Sequence, residues 1–369
     1  MKKTLSLTLI LISLCLLLTA CGSGMYVNGA PAPAEEAPSG AAGTDAAADE
    51  GSEPEALTPT GEWQETDWNT EEYDVISESP FVAVADRPLS TFAADVDTAS
   101  YANLRRLIRE GYSLDQIPSG AIRTEELVNY FRYDYPAPAR GEPFGVSAEI
   151  SPCPWNSDTL LLVLGLATEP LDYENAPASN LVFLLDVSGS MDSPDKLPLL
   201  QDAFTYLVER LGPKDTVSIV TYAGEERVVL DGANGNEDKE ILRAIRRLSA
   251  GGSTDGQSGL EMAYRLAQKN YIEGGNNRII MASDGDLNVG MTSVSDLHDY
   301  VSEQRQNGVY LSVLGFGQGN YKDNKMETLA DHGNGNYHYI DCLDEAEKVL
   351  GEDITATLLT VADDVKLQI

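Results

Sequence analysis

The chain has 369 residues, 42% of them hydrophobic, which is enough for two compact domains with flexible segments and excludes a wholly disordered polypeptide. Lys and Arg number 25 against 59 Asp and Glu, giving a net charge of −34. Such a chain repels a phosphate backbone, whose binding draws mainly on Lys and Arg, so nucleic acid is not an expected partner.

Residues 1–20 read as a targeting signal. Lys2 and Lys3 supply the positive start, and residues 5–18 form an apolar run too short to be a stable membrane span. The run ends in Leu18-Thr19-Ala20-Cys21, which resembles the bacterial lipobox, where the cysteine becomes the acylated first residue after cleavage. A plain secretory signal followed by a chance cysteine is the alternative. Acyl chains on Cys21 would hold the protein at the extracytoplasmic face of the cell membrane, since each buried methylene contributes roughly 0.8 kcal/mol. Cys15 leaves with the signal, so Cys153 and Cys342 remain in the folded part, either paired or as two free thiols.

Residues 21–80 are rich in Ala, Pro, Gly, Ser, Asp and Glu, and from Gly22 onward contain no Lys or Arg. They cannot bury enough apolar surface to offset their ordering entropy and read as a disordered acidic tether. At roughly 5–6 Å times the square root of its length, the tether would hold the folded body some 40 Å or more from a membrane. Trp63, Trp68 and Tyr73 suggest that its end docks on that body.

Residues 81–175 read as a smaller α+β domain. Residues 98–110 place Tyr101, Leu104, Leu107 and Ile108 at helical spacing, with Gly111 as the stop. Residues 123–131 form a second helix with Thr124 as its cap, and residues 144–150 and 160–167 read as strands. From 176 to 359 the pattern changes to apolar strands at 181–186, 217–222, 227–230, 278–283, 309–316 and 337–340, alternating with helices near 196–211, 236–248, 256–271, 293–307, 323–332 and 343–358. Near-continuous apolar strands separated by helices imply an α/β fold, a doubly wound, mostly parallel six-stranded sheet flanked by helices. Residues 360–369 end in an alternating stretch that reads as the start of a further, truncated domain.

Doubly wound sheets bind ligands outside the carboxyl ends of their strands, which directs attention to three loops. Asp186-Val187-Ser188-Gly189-Ser190 puts one carboxylate and two hydroxyls on a tight turn after the first strand. Thr254, in Gly251-Gly252-Ser253-Thr254, adds a hydroxyl, and Asp284 closes the fourth strand in Ser283-Asp284-Gly285-Asp286. These are hard oxygen donors with few carboxylates, which suits Mg²⁺, a cation that keeps several waters; Mn²⁺ or Ca²⁺ would also accept them. A lone DxSxS turn is weak, because short Asp/Ser turns commonly cap helices. The conjunction of the three loops resembles the metal-ion-dependent adhesion site of von Willebrand factor A domains. That resemblance implies that Ser188, Ser190 and Thr254 ligate the metal, that Asp186 and Asp284 act directly or through water, and that an open position accepts a carboxylate from a protein partner.

Thr91-Phe92, 95–101, 125–135, Cys153-Pro154-Trp155-Asn156 and 283–290 further resemble the bacterial YfbK-like lipoproteins, so-called calcium-activated chloride channel homologues. The channel label finds no support, because no apolar run after residue 20 approaches the roughly 18–20 residues that span a bilayer. Asp95-Val96-Asp97-Thr98 mimics the nucleophile loop of haloacid dehalogenase-like phosphatases, the alternative reading as a hydrolase using Asp95 and Asp97. Only a short apolar stretch precedes it, so helix capping by Asp97 or Thr98 is the plainer expectation. Asp284-x-Asp286-x-Asn288 starts like an EF-hand but has Val289 where glycine is needed. Gly256-Gln257-Ser258-Gly259 is not a nucleophile elbow; no Ser-His pair is expected, and zinc lacks clustered His and Cys. The expectation is a non-enzymatic, metal-dependent binding protein.

Overall fold

The computed structural model describes residues 70–77, 79–93, 96–169, 176–253, 256–285, 294–353 and 365–369. β1 (Thr91–Ala93) leads into α1 (Ala99–Arg109) and α2 (Thr124–Asn129), followed by a hairpin of β2 (Gly145–Pro152) and β3 (Leu160–Ala167). The buried face of α1 is Ala99, Ala102, Asn103, Arg106 and Leu107, whereas Ile108 is exposed. The expected apolar stripe is therefore rotated toward small and polar residues. The helix does not sit on a core of its own; it lies close against a strand of the main sheet, where small side chains allow the approach and Arg106 finds carboxylates. Thr98, at the N-cap position, makes no cap bond and lies with Oγ1 3.0 Å from His338 Nδ1, and Asp97 Oδ1 accepts from the Tyr337 amide at 2.9 Å. Thr124 is the first residue of α2 and likewise gives no cap bond.

The main sheet begins with β4 (Ser179–Asp186), then α3 (Leu197–Val208), β5 (Thr216–Ala223), β6 (Glu225–Asn234), α4 (Asp238–Arg246) and α5 (Gly256–Lys269). It continues with β7 (Asn276–Ser283), α6 (Val294–Arg305), β8 (Tyr310–Phe316), α7 (Asp323–His332), β9 (Tyr337–Ile340) and α8 (Leu343–Glu347). The strand order is β6-β5-β4-β7-β8-β9, parallel throughout except for the antiparallel β6. All eight residues of β4 and of β7 are buried, as central strands covered on both faces must be. Val182 and Leu184 point into one helix layer with Ile279, Met281 and Tyr264, while Leu181, Phe183 and Leu185 point into the other with Phe204, Ile241 and Ile245. Each such fully buried side chain contributes roughly 1.5–3 kcal/mol.

The expected architecture is thus present, with shifted boundaries. β6 runs well beyond 227–230 because a bulge lets it follow β5 to the end of the sheet, and the last helix ends at Glu347 and continues as π-type turns through Asp353. β10 (Lys366–Gln368) pairs antiparallel with β1, an association of chain ends that no local pattern announces.

The segment before the sheet is held to it by paired charges. Arg105 reaches Asp341 and Glu345, and Arg123 reaches Asp323 and Glu327, while Arg106 pairs within the segment with Glu71 at 3.0 Å and lies over the Tyr339 ring of β9. Tyr73 packs against the same core and donates to Glu71 at 2.8 Å, so it docks on the folded body; Trp63 and Trp68 lie outside the described residues. Cys153 and Cys342 are both free.

Candidate metal centre

β4 and β7 are neighbours, and the chain order reverses between them: β5 and β6 lie to one side, β8 and β9 to the other. Asp186 ends β4 and Asp284 follows β7, so two carboxylates leave adjacent strands at the switch point of the sheet. Both are fully buried. Asp186 Oδ1 accepts from the Ser188 amide at 2.9 Å and Oδ2 from Ser283 Oγ at 2.9 Å; Ser283 Oγ in turn accepts from the Gly285 amide at 3.0 Å. Ser188 Oγ and Ser190 Oγ are 3.0 Å apart on a short turn, Gly189–Met191. The Gly251 amide donates to Val187 O at 2.8 Å and the Gly189 amide to Gly252 O at 3.1 Å, which fastens the glycine loop to this turn. Gly252 has φ +85°, and a Cβ there would stand 3.0 Å from Ala223 O, so glycine is required on both counts. Of the five expected ligands, Asp186, Ser188, Ser190 and Asp284 converge; Thr254 lies outside the described residues, as do Asp286, Asn288 and Cys21.

Two side chains that no sequence pattern singled out complete the group. Lys196, just before α3, is buried, and its ammonium donates to Asp284 Oδ2 at 3.0 Å, Ser190 O at 3.0 Å and Asn320 Oδ1 at 2.7 Å. Asn320 also donates to Asp284 Oδ2 at 3.0 Å. The stem of Lys196 passes through a slot left by Gly317, where an added Cβ would fall 2.3 Å from Lys196 Cε at φ +77°. Asn320 was within reach of the rule that loops after parallel strands gather at one edge, since it follows β8. Lys196 at a helix start reads as an ordinary surface lysine.

The two carboxylates are electrostatically unlike. Burial pushes Asp186 up to about 6, the charge of Asp284 adds to the rise, and the bonds from Ser188 and Ser283 oppose it. Burial also acts on Asp284, but the Lys196 ammonium, the Asn320 amide and the Ser190 hydroxyl outweigh it and hold this group below the usual carboxylate range. The fully buried Tyr222 hydroxyl sits among Asp186, Ser283 and Asp284, with no partner at hydrogen-bonding geometry among the described residues. Among the described residues no three of His, Cys, Asp and Glu converge, so a cation here would have to draw on hydroxyl and water oxygens beyond the two carboxylates. That donor set fits a hard divalent ion.

Other candidates fall elsewhere. Asp97 is committed to the Tyr337 amide, β1 is a three-residue strand in a two-stranded sheet, and Asp95 lies outside the described residues. Ser258 is within α5. A Ser-His contact that the sequence did not announce does occur, Ser302 Oγ to His332 Nδ1 at 3.0 Å, because α6 and α7 pack together and stack His298 on His332; it is not at the strand ends.

Residues 67–163 match the family model described as von Willebrand factor, and residues 180–352 match the von Willebrand factor type A domain. Uncharacterized protein YfbK of Escherichia coli (strain K12) is 46% identical over 308 residues, covering 81% of this chain and 53% of its own length. The chain spans about half the length of the curated relatives it matches. Among solved structures, conserved hypothetical protein BatB from Bacteroides thetaiotaomicron is 19% identical, covers 48% of this chain and 98% of its own, and has a TM-score of 0.42. Proximal thread matrix protein 1 from the mussel byssus, described with a zinc-occupied MIDAS motif, is 22% identical, covers 48% and 45%, and has a TM-score of 0.39. With the switch-point sheet and the family match over the same residues, residues 180–352 of this chain are a von Willebrand factor type A domain.

Proposed function

We propose that the protein is a metal-dependent protein-binding module whose site is formed by Asp186, Ser188, Ser190, Thr254 and Asp284. The observation that carries this is the convergence of two buried carboxylates and two hydroxyls from separate loops at the sheet's switch point. Asp186 would hold the ion most directly, because its charge has no cationic partner at hydrogen-bond distance, whereas Lys196 already balances Asp284. Mg²⁺ suits the set best, with Mn²⁺ and Ca²⁺ as substitutes. A bound divalent ion supplies a Lewis-acidic position for a carboxylate from outside the chain. Two carboxylates and one ammonium leave the residues at −1, so the loaded site would carry +1 and favour an anionic partner group. Isothermal titration with Mg²⁺ tests the reading: heat of binding for the wild type that is lost in Ser188→Ala supports it, and equal heats refute it.

The same reading places the protein at the extracytoplasmic face of the cell membrane, anchored by acylation of Cys21. Its support is the signal-like segment with Leu18 three residues before the cysteine and Ala20 one before. Labelling with a radioactive fatty acid should mark the wild type and not Cys21→Ala; a label that survives the substitution rejects the anchor.

A further inference from the structure

Arg105, Arg106 and Arg123 are engaged by carboxylates. Three arginines at the edge formed by β6 and α4 are not. Arg227 on β6, Arg243 on α4 and Arg247 just after α4 are exposed around one cavity of about 520 Å³, and no ion pair or side-chain hydrogen bond engages them among the described residues. An unpaired guanidinium presents a planar fork of donors matched to a carboxylate.

The cavity borders the candidate metal centre. Its lining includes Val187, the residue after Asp186, and Thr221, which pairs with Arg227 across β5 and β6. Asp186 pairs with Tyr222 on the same β5, so Arg227 stands two strand spacings away, roughly 10 Å. An extended peptide covers that span in about three residues at 3.3–3.4 Å each. Leu248 and Val229 add an apolar lining, and Glu240 stands among the arginines. Three guanidiniums beside an apolar lining suit a short acidic segment carrying apolar side chains, whereas Glu240 and the net charge of −34 disfavour a long polyanion such as a sulfated glycan.

We infer that this cavity is an anion subsite for an acidic, partly apolar segment of a partner protein. One carboxylate of that segment occupies the metal-centre position, and a second, two to three residues away, enters the cavity at Arg227, where Arg243 and Arg247 also line it. The inference rests on the metal-dependent reading above and specifies the partner for it. The partner would supply the carboxylates that these three clustered guanidiniums lack among the described residues.

The test uses the full chain and a fluorescent hexapeptide of alternating Asp and Leu, with the Asn-Leu counterpart and a heparin hexasaccharide as comparisons, in excess Mg²⁺. Binding of the Asp-Leu peptide by the wild type, at least tenfold weaker in Arg243→Gln/Arg247→Gln while Mg²⁺ titration of the variant is unchanged, is the expected result. Equal peptide affinity in wild type and variant overturns the subsite. So do equal binding of the Asn-Leu peptide, absence of Asp-Leu binding at millimolar concentration, and tighter arginine-dependent binding of heparin. If the wild type takes up no Mg²⁺ but the peptide still depends on the arginines, the metal reading falls and the subsite stands. If Mg²⁺ binds and the arginines make no difference, the subsite alone falls.

Discussion

Lys196 is the residue that most changes the chemistry of the site. It turns two buried carboxylates, which would repel each other, into one balanced group and one free to hold a cation. Replacing it with Met keeps the stem in the Gly317 slot but leaves Asp284 buried without its charge partner, a loss on the order of 3–5 kcal/mol. Lys196→Met should therefore melt well below the wild type in chelator and gain more from added Mg²⁺ than the wild type does, which thermal melts in the two buffers would read. Equal melting in chelator would mean that Asp284 does not need the ammonium. The sequence makes Asp186, Ser188, Ser190 and Asp284 legible because each follows an apolar strand in a short motif whose geometry is local. Asn320 was reachable from its place after β8, but Lys196 and Tyr222 were not legible, since the packing of α3 brings in the one and the pairing of β5 with β4 the other.

At the scale of elements, the central strands were readable for a physical reason: a parallel strand covered on both faces must be apolar at nearly every position, and β4 and β7 are buried throughout. What failed were elements whose partners are remote. The face of α1 cannot be read from apolar periodicity when Asn103 and Arg106 are buried by carboxylate and tyrosine partners. β6 carries exposed Glu225, Arg227 and Asp231, so its true length is set by its antiparallel partner and not by its own pattern. The pairing of β1 with β10 joins two three-residue segments far apart in the chain; the alternation at the second was readable, but its partner was not. The segment before the sheet is consequently tied to the type A domain by the ion pairs of Arg105 and Arg123 and by Arg106 over the Tyr339 ring as much as by apolar packing.

For the molecule as a whole, an excess of acids makes stability depend on where protons are kept. One guanidinium, Arg123, faces three carboxylates: Glu126 at 3.1 Å, Asp323 at 2.5 Å and Glu327. Asp323 also accepts from the Tyr337 hydroxyl at 2.8 Å and Glu126 from the Ser100 amide at 2.6 Å, so Glu327 at the rim is the member left to hold a proton. Burial, together with the charges of Asp323 and Glu126 and against the pull of Arg123, raises it to about 8. The folded protein therefore binds a proton between about 4.5 and about 8 that the unfolded chain has released, and stability falls as pH rises through that window. Glu327→Gln fixes the neutral form. It should match the wild type in thermal melts near pH 5 and exceed it near pH 8.5, where the wild type must either keep an unfavourable proton or crowd three negative charges around one arginine. General repulsion from the net charge of −34 acts on both proteins alike and cancels in the comparison. A variant less stable than wild type at the higher pH would show instead that Glu327 is ionised and serves as a true partner of Arg123, with the proton residing elsewhere in the cluster.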